Sequence, residues 1–409
     1  MQNVKDLTRQ LVAFETTSAL SNMAIALFLR EILLGMGFAV DLQEKISPNG
    51  DSKKANLIAR IGPKDVEPLM LSAHMDTVSA GDSKAWKTKP FELTEVGDEL
   101  YGRGSADMKG PLAALICAIE PLVQNKEAMK RELIFGLTFD EEVGLVGARY
   151  MEKESEVGRT VLRPKFVLVA EPTELIPMRM HKGHLCLRAV CHGQSAHGSK
   201  PDEGVNAIEL AAEVVAILQR FRDEELKGEQ EACIDPPYAT LNIGVIRGGT
   251  KYNIIPSYCF VDFEVRPIPG QSAEGIKDDL TARMEDIGWD DQNKRMVDLD
   301  FQEIGEPLEP PKPGEPHKPK KSPTEPVCTP PDSLLVQVAE QVTGQPAAGA
   351  SFSTDASILQ NLGGQHKCQC LILGPGSIEQ AHKENEFIET KQLLLAVEQF
   401  REIVRRICF

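Results

Sequence analysis

No apolar run in this chain is long enough to cross a bilayer. The most apolar stretch, 110–123, carries Glu120 and falls short of the ~20 residues a spanning helix needs. The opening residues, MQNVKDLTRQ, place no apolar segment behind a basic head, so no secretory signal is expected. Positive charge is in short supply: 45 Lys and Arg face 61 Asp and Glu, a formal net charge of −16. Nucleic acids and anionic membranes attract basic patches, so neither is expected as a partner. Cysteine is sparse, nine in 409 residues, an odd number with no dense framework. Reduced thiols and a cytoplasmic location are the expectation. Internal repeats are missing. What remains, 42% hydrophobic and 26% charged, is ordinary for a globular chain, and the length suggests two or three domains.

The first ~175 residues alternate helical and strand signals, the pattern of an α/β layer structure. Ile25, Phe28, Leu29, Ile32 and Met36 repeat at helical spacing. Short apolar runs at 69–73, 133–139, 166–170 and 370–373 have the length of buried strands. The middle of the chain reads differently. Leu185, Leu187, Ala189 and Cys191 alternate with more polar neighbours; 206–221 has a helical face; 239–246 and 259–266 read as strands. A further helix around Ile276–Ile287 and a strand through Val297, Leu299 and Phe301 complete β-α-β-β-α-β, the ferredoxin-like α+β sandwich. We assign 179–305 to such an inserted domain, and 1–178 with 331–409 to the α/β domain. Between them, 306–330 is rich in proline and lysine and reads as an extended or disordered linker.

Three apolar strands run into potential metal ligands: His74-Met75-Asp76, Asp140-Glu141-Glu142 and Glu171-Pro172-Thr173. In open α/β sheets ligands gather outside the carboxyl ends of the strands. Any one of these sets is equally well a turn or a solvated helix start; three together point to a site. The loop Gly102-Arg103-Gly104-Ser105-Ala106-Asp107-Met108-Lys109-Gly110 opens a helix, but lacks the spacing of a phosphate-binding loop.

HMDTV, GRGSADMKG, TFDEEVG, AEPT, SAHGSKPDEGVNAI and GPGSIEQAHKENE occur in this order along nearly the whole chain. Together they resemble the di-zinc amidohydrolases and metallopeptidases that include acetylornithine deacetylase, succinyl-diaminopimelate desuccinylase, aminoacylase and glutamate carboxypeptidase. RGGTKYNIIP, FEVRPIPG and GPGSIEQAH look most like the acetylornithine deacetylases. The resemblance implies a phosphorylase/hydrolase-like α/β catalytic domain with an inserted lid that also forms a homodimer. It implies two Zn²⁺ per subunit, with Co²⁺ as a substitute: His74 and Glu171 on one, Glu142 and His382 on the other, Asp107 bridging. Imidazole and carboxylate donors suit zinc, cobalt or manganese better than calcium or magnesium.

The same resemblance makes Glu141 the general base and Asp76 the group that orients His74, and implies a cis peptide after Asp107. His197, in the lid, would stabilise the oxyanion in a neighbouring protomer's site, where a lone loop histidine is otherwise a surface residue. Asn253 and Arg266 match lid positions that contact substrate, although Arg266 shares a strand face with Glu264 and a salt bridge there is the alternative. Gly374 and Gly376 are candidates to offer backbone N–H groups to substrate. The implied reaction is hydrolysis of an N-acyl amino acid, N2-acetyl-L-ornithine foremost, to acetate and ornithine, a step of arginine biosynthesis. Other hydrolases of the family, and a non-catalytic binding protein on the same fold, are the alternatives. Retention of every ligand and of Glu141 argues against the last. Asp355 is a candidate for holding a cationic substrate tail.

Overall fold

The computed structural model describes residues 3–46, 52–287, 296–302 and 323–409. The chain divides into two compact units. The first comprises Met1–Met180, Val327–Ala348 and Thr354–Phe409; the second comprises His181–Pro326 and Gly349–Ser353.

The first unit is built on a mixed sheet. Its strands follow the order Ala39–Ile46, Lys53–Ile61, Leu133–Thr138, Leu69–His74, Phe166–Val169, Gln369–Ile372, Met178–His181 and Val327–Cys328. The four central strands, Leu133–Thr138 through Gln369–Ile372, are mutually parallel. Every residue of Leu69–His74, Leu133–Thr138 and Phe166–Val169 is buried. Strands covered on both faces need apolar side chains at every position, which is why they appear in the sequence as unbroken runs. The helix Lys109–Val123 is likewise buried on nearly all sides, and the helix Thr390–Cys408 packs against it. Pro111 falls in the first turn of Lys109–Val123, where a missing N–H costs nothing.

The second unit carries a four-stranded antiparallel sheet in the order Thr240–Gly248, Tyr258–Arg266, Leu185–His192, Val297–Gln302. Cys259, Val261, Phe263 and Val265 pair with Cys191, Ala189, Leu187 and Leu185, all buried. That face packs with Ala211, Val214 and Leu218 of the helix Ala207–Phe221, and with Ile276 and Leu280 of Ala273–Met284. Strand, helix and strand order give the ferredoxin-like α+β sandwich inserted into an α/β domain.

The Pro-rich stretch is described only in part. Residues 306–322 lie outside the described residues. The remainder, 323–330, is built into the two units rather than spanning between them as a free linker. Val327–Cys328 is a strand at the end of the sheet order, and Val327 is 1% exposed. Thr329 donates its hydroxyl to the Cys370 carbonyl at 2.6 Å. Within the second unit, Thr324 and His184 exchange backbone hydrogen bonds at 2.9 and 3.0 Å. A two-residue strand has no periodicity to detect, and an edge position tolerates the flanking prolines because half of its N–H groups need no ladder partner.

All nine cysteines are free thiols, six of them buried. Among the described residues no helix is long and apolar enough to cross a membrane.

Candidate metal centre

The carboxyl ends of the parallel strands lie level. His74 is the register partner of Thr138, so the segments leaving these two strands start side by side. His74 closes one strand, Glu141 and Glu142 follow the next, and Glu171 follows the third. Asp107 arrives from the loop before the helix Lys109–Val123, across a cis peptide to Met108.

These side chains meet. His74 Nε2 lies 2.9 Å from Asp107 Oδ1 and 3.9 Å from Glu171 Oε1. His382 Nε2 lies 2.8 Å from Glu142 Oε2 and 3.5 Å from Asp107 Oδ2. Asp107 therefore has one oxygen toward each imidazole. Ligand atoms of His74, Asp107 and Glu142 all fall within 4.8 Å of one another. His74 Nδ1 is 3.0 Å from the Asp76 carbonyl, an acceptor, so Nδ1 donates there and Nε2 is the nitrogen turned to the carboxylates.

The electrostatics are those of a site built for positive charge. Burial pushes Glu171 well above the usual carboxylate range and raises Glu142, and the Asp107 charge adds to both. Burial also lifts Glu141 well above its ordinary value, with Glu171, Asp355 and Glu142 contributing. His382 is raised to about 10 by its hydrogen bonds to Asp107 and Glu142. Burial opposes the charged form of His74, yet the Asp107 hydrogen bond and the charges of Glu171, Asp107 and Asp76 hold it well above 6.5. Among the described residues, buried Glu142 Oε1 has no hydrogen-bond partner. An unpaired buried carboxylate oxygen, next to two more carboxylates and two imidazoles, fits divalent cations of the zinc and cobalt kind.

Asp76 meets His74 through its backbone. Its backbone carbonyl is the nearer contact of His74, the carboxylate Oδ1 standing 3.6 Å from Nδ1. The carboxylate instead accepts the backbone N–H of Glu141 at 3.1 Å and of Glu142 at 3.4 Å, and the Ser18 hydroxyl at 2.8 Å. Asp355 is buried and its Oδ2 accepts the Thr138 hydroxyl at 2.5 Å. Burial raises it to about 6, with Asp76 adding and His74 opposing, so it belongs electrostatically to the strand-end cluster.

Gly374 N–H goes to Thr173 Oγ1 at 3.2 Å and Gly376 N–H to Gln392 Oε1 at 2.9 Å, so both already have partners within the chain. Their glycine character has a local cause. A Cβ at Gly374 would stand 2.4 Å from the Glu171 carbonyl oxygen, and Gly376 has φ +91°.

His197, Asn253 and Arg266 belong to the second unit. His197 is exposed, with Nδ1 2.7 Å from the Ser199 hydroxyl, and pairs through its backbone with Ile254. The exposed Asn253 accepts the Gly198 N–H on its carbonyl at 2.9 Å. Arg266 takes the salt-bridge alternative, with Nη2 3.3 Å from Glu264 Oε2, an oxygen it shares with His184. Both partners are near one-third exposed, so this pair is weak and exchangeable.

Two buried pairs escaped the sequence reading. Lys54 Nζ meets Asp140 Oδ1 at 2.7 Å beside the Glu141 turn. Glu386 accepts from Arg103 at 2.7 Å and from the backbone of the Asp107 loop. The only sequence signal for Glu386 is its place at the end of GPGSIEQAHKENE.

A mixed α/β sheet with imidazoles and carboxylates converging at the carboxyl ends of its parallel strands, and a ferredoxin-like insertion, fit a hydrolase of the metallopeptidase class. The profile of Peptidase family M20/M25/M40 matches residues 70–406, and the chain belongs to that family. It is a hydrolase of amide bonds. An acetylornithine deacetylase of Proteus mirabilis is 34% identical over 411 residues, 98% of this chain and 96% of that protein. The crystal structure of a tripeptidase from Staphylococcus aureus superposes with a TM-score of 0.73 at 21% identity, covering 99% of this chain and 97% of that one. A dinuclear metal-binding peptidase of the M20 family from Bacillus subtilis superposes with a TM-score of 0.66 at 14% identity, covering 99% and 97%.

Proposed function

We propose that this protein is a two-metal deacylase of N-acyl amino acids, with N2-acetyl-L-ornithine as its first-choice substrate and acetate and ornithine as products. The observation that carries the reading is Asp107, whose two oxygens face His74 and His382 separately. The 34% identity to an acetylornithine deacetylase over 98% of this chain supports the choice of substrate.

His74 and Glu171 would hold one divalent cation, Glu142 and His382 the other, with Asp107 between them. Two divalent cations held there, zinc or cobalt, would supply Lewis acidity for the attacking water and the scissile carbonyl. Glu141 takes a proton from the attacking water and delivers it to the departing amine. Asp76 holds the backbone of Glu141 and Glu142, which keeps the shuttle and its neighbour in separate tasks. His197 donates to the oxyanion from the lid of a second subunit in a homodimer, and Asn253 and Arg266 bind the substrate, Arg266 by exchanging Glu264 for the substrate carboxylate.

A panel of N-acetyl and N-succinyl amino acids and dipeptides, assayed with added Zn²⁺ or Co²⁺, tests this. N2-acetyl-ornithine should be turned over with the highest kcat/KM. Preference for a dipeptide or a succinyl compound would replace the substrate, and no turnover of any would reject deacylation.

A further inference from the structure

Glu386 lies 279 residues from Asp107 and is completely buried against its loop. Its Oε2 accepts Arg103 Nη1 at 2.7 Å and the Gly104 N–H at 2.9 Å; its Oε1 accepts the N–H groups of Ala106 at 2.9 Å and Asp107 at 3.0 Å. Its own carbonyl accepts the Gly102 N–H at 3.0 Å. Four donors saturate the four acceptor positions of one carboxylate. The segment that supplies Glu386 also supplies His382 four residues earlier, whose Nε2 stands 3.5 Å from Asp107 Oδ2.

We infer that Glu386 is a positioning residue for the metal centre: it clamps the loop of Asp107 to the segment of His382, so that the two carry a fixed separation before any cation binds. A free loop would have to lose conformational entropy on metal binding; one already held by five hydrogen bonds has lost it during folding. The role needs a carboxylate. In Glu386→Gln one oxygen still accepts two N–H groups, but the new NH₂ faces two donors that it cannot satisfy. In Glu386→Asp the charge stays opposite Arg103, yet the shorter side chain cannot reach all four donors.

This inference rests on the metal reading of His74, Asp107 and Glu142, and the experiment separates the two. Metal-free protein is titrated with Co²⁺ against a chromophoric chelator, and its melting temperature is recorded without metal. Glu132→Gln serves as the control, because Glu132 is another buried carboxylate, paired with Arg60 at 2.8 Å just before the amino end of the Leu133–Thr138 strand. Wild type and Glu132→Gln should bind Co²⁺ alike, whatever the control's stability. Glu386→Gln should bind about 10–100-fold more weakly, the usual effect of removing a ligand's supporting partner, with Glu386→Asp intermediate. If the Gln variant does not fold, the Asp variant decides. Wild-type affinity in a folded Glu386 variant overturns the inference; weakening in Glu132→Gln equal to that in Glu386→Gln also overturns it, since stability alone would then explain the effect. Absence of Co²⁺ binding by wild type rejects the metal reading itself.

Discussion

The carboxylate of Asp76 accepts the backbone N–H of Glu141 at 3.1 Å, although 65 residues separate them. One side chain thereby ties the end of the Leu69–His74 strand to the turn that carries the proposed base. Asp76→Asn removes the charge and turns an NH₂ toward groups that donate. We expect a fall of about 10–100-fold in kcat/KM with little loss of fold, as for other residues that support ligands and bases. Steady-state kinetics alongside thermal melting check this; an unchanged kcat/KM would show that the carboxylate does not organise the Glu141 turn.

Glu141→Gln and Glu142→Gln separate adjacent carboxylates by task. The first should keep its metal content and lose about 10²–10⁴ in rate, the range for removing a general base. The second should lose metal. Elemental analysis with initial-rate assays distinguishes them, and near wild-type turnover in Glu141→Gln would end its assignment as the proton carrier.

Val327 tests whether the end of the Pro-rich stretch is part of the fold. It packs in the buried cluster with Val167, Cys370 and Ile372. Val327→Asp places an unpaired carboxylate there and should destabilise the first unit by about 2–4 kcal/mol. A melting temperature equal to wild type would mean that the strand detaches freely.

His197→Ala should retain metal and slow turnover by about 10²–10³, the effect of losing one oxyanion donor. If the histidine serves a second subunit, mixing His197→Ala chains with Glu141→Gln chains should restore activity, because one site then has both groups. A verified mixed dimer that stays inactive would place the histidine in its own chain's site or outside the reaction.

What could be read in the sequence divides by range. The central strands are legible because burial on both faces writes an unbroken apolar run, as in 69–73. The insertion is legible because alternate positions such as Leu185, Leu187 and Ala189 face one core. The proposed ligands His74, Asp107, Glu142, Glu171 and His382 stand in recognisable strings. The supports of those ligands are a different matter. Glu386 and Asp107, or Lys54 and Asp140, meet only through the fold, and no local spacing signals such a pair. Gly374 and Gly376 have a local cause that no string shows, a close carbonyl at the first and a left-handed backbone at the second. Arg266 and Glu264 lie two apart on one strand, so that their pairing follows from period-two geometry alone.

The central claim is a dinuclear centre bridged by Asp107, and its most direct test is a metal count. Protein stripped of metal, reloaded with Zn²⁺ and freed of excess is analysed for zinc per chain, with acetate release from N2-acetyl-ornithine measured on the same sample. The account predicts two zinc ions per chain, activity abolished by a chelator and restored by Zn²⁺ or Co²⁺, and a lower count in Asp107→Asn. At most one ion in fully active wild-type protein would contradict it.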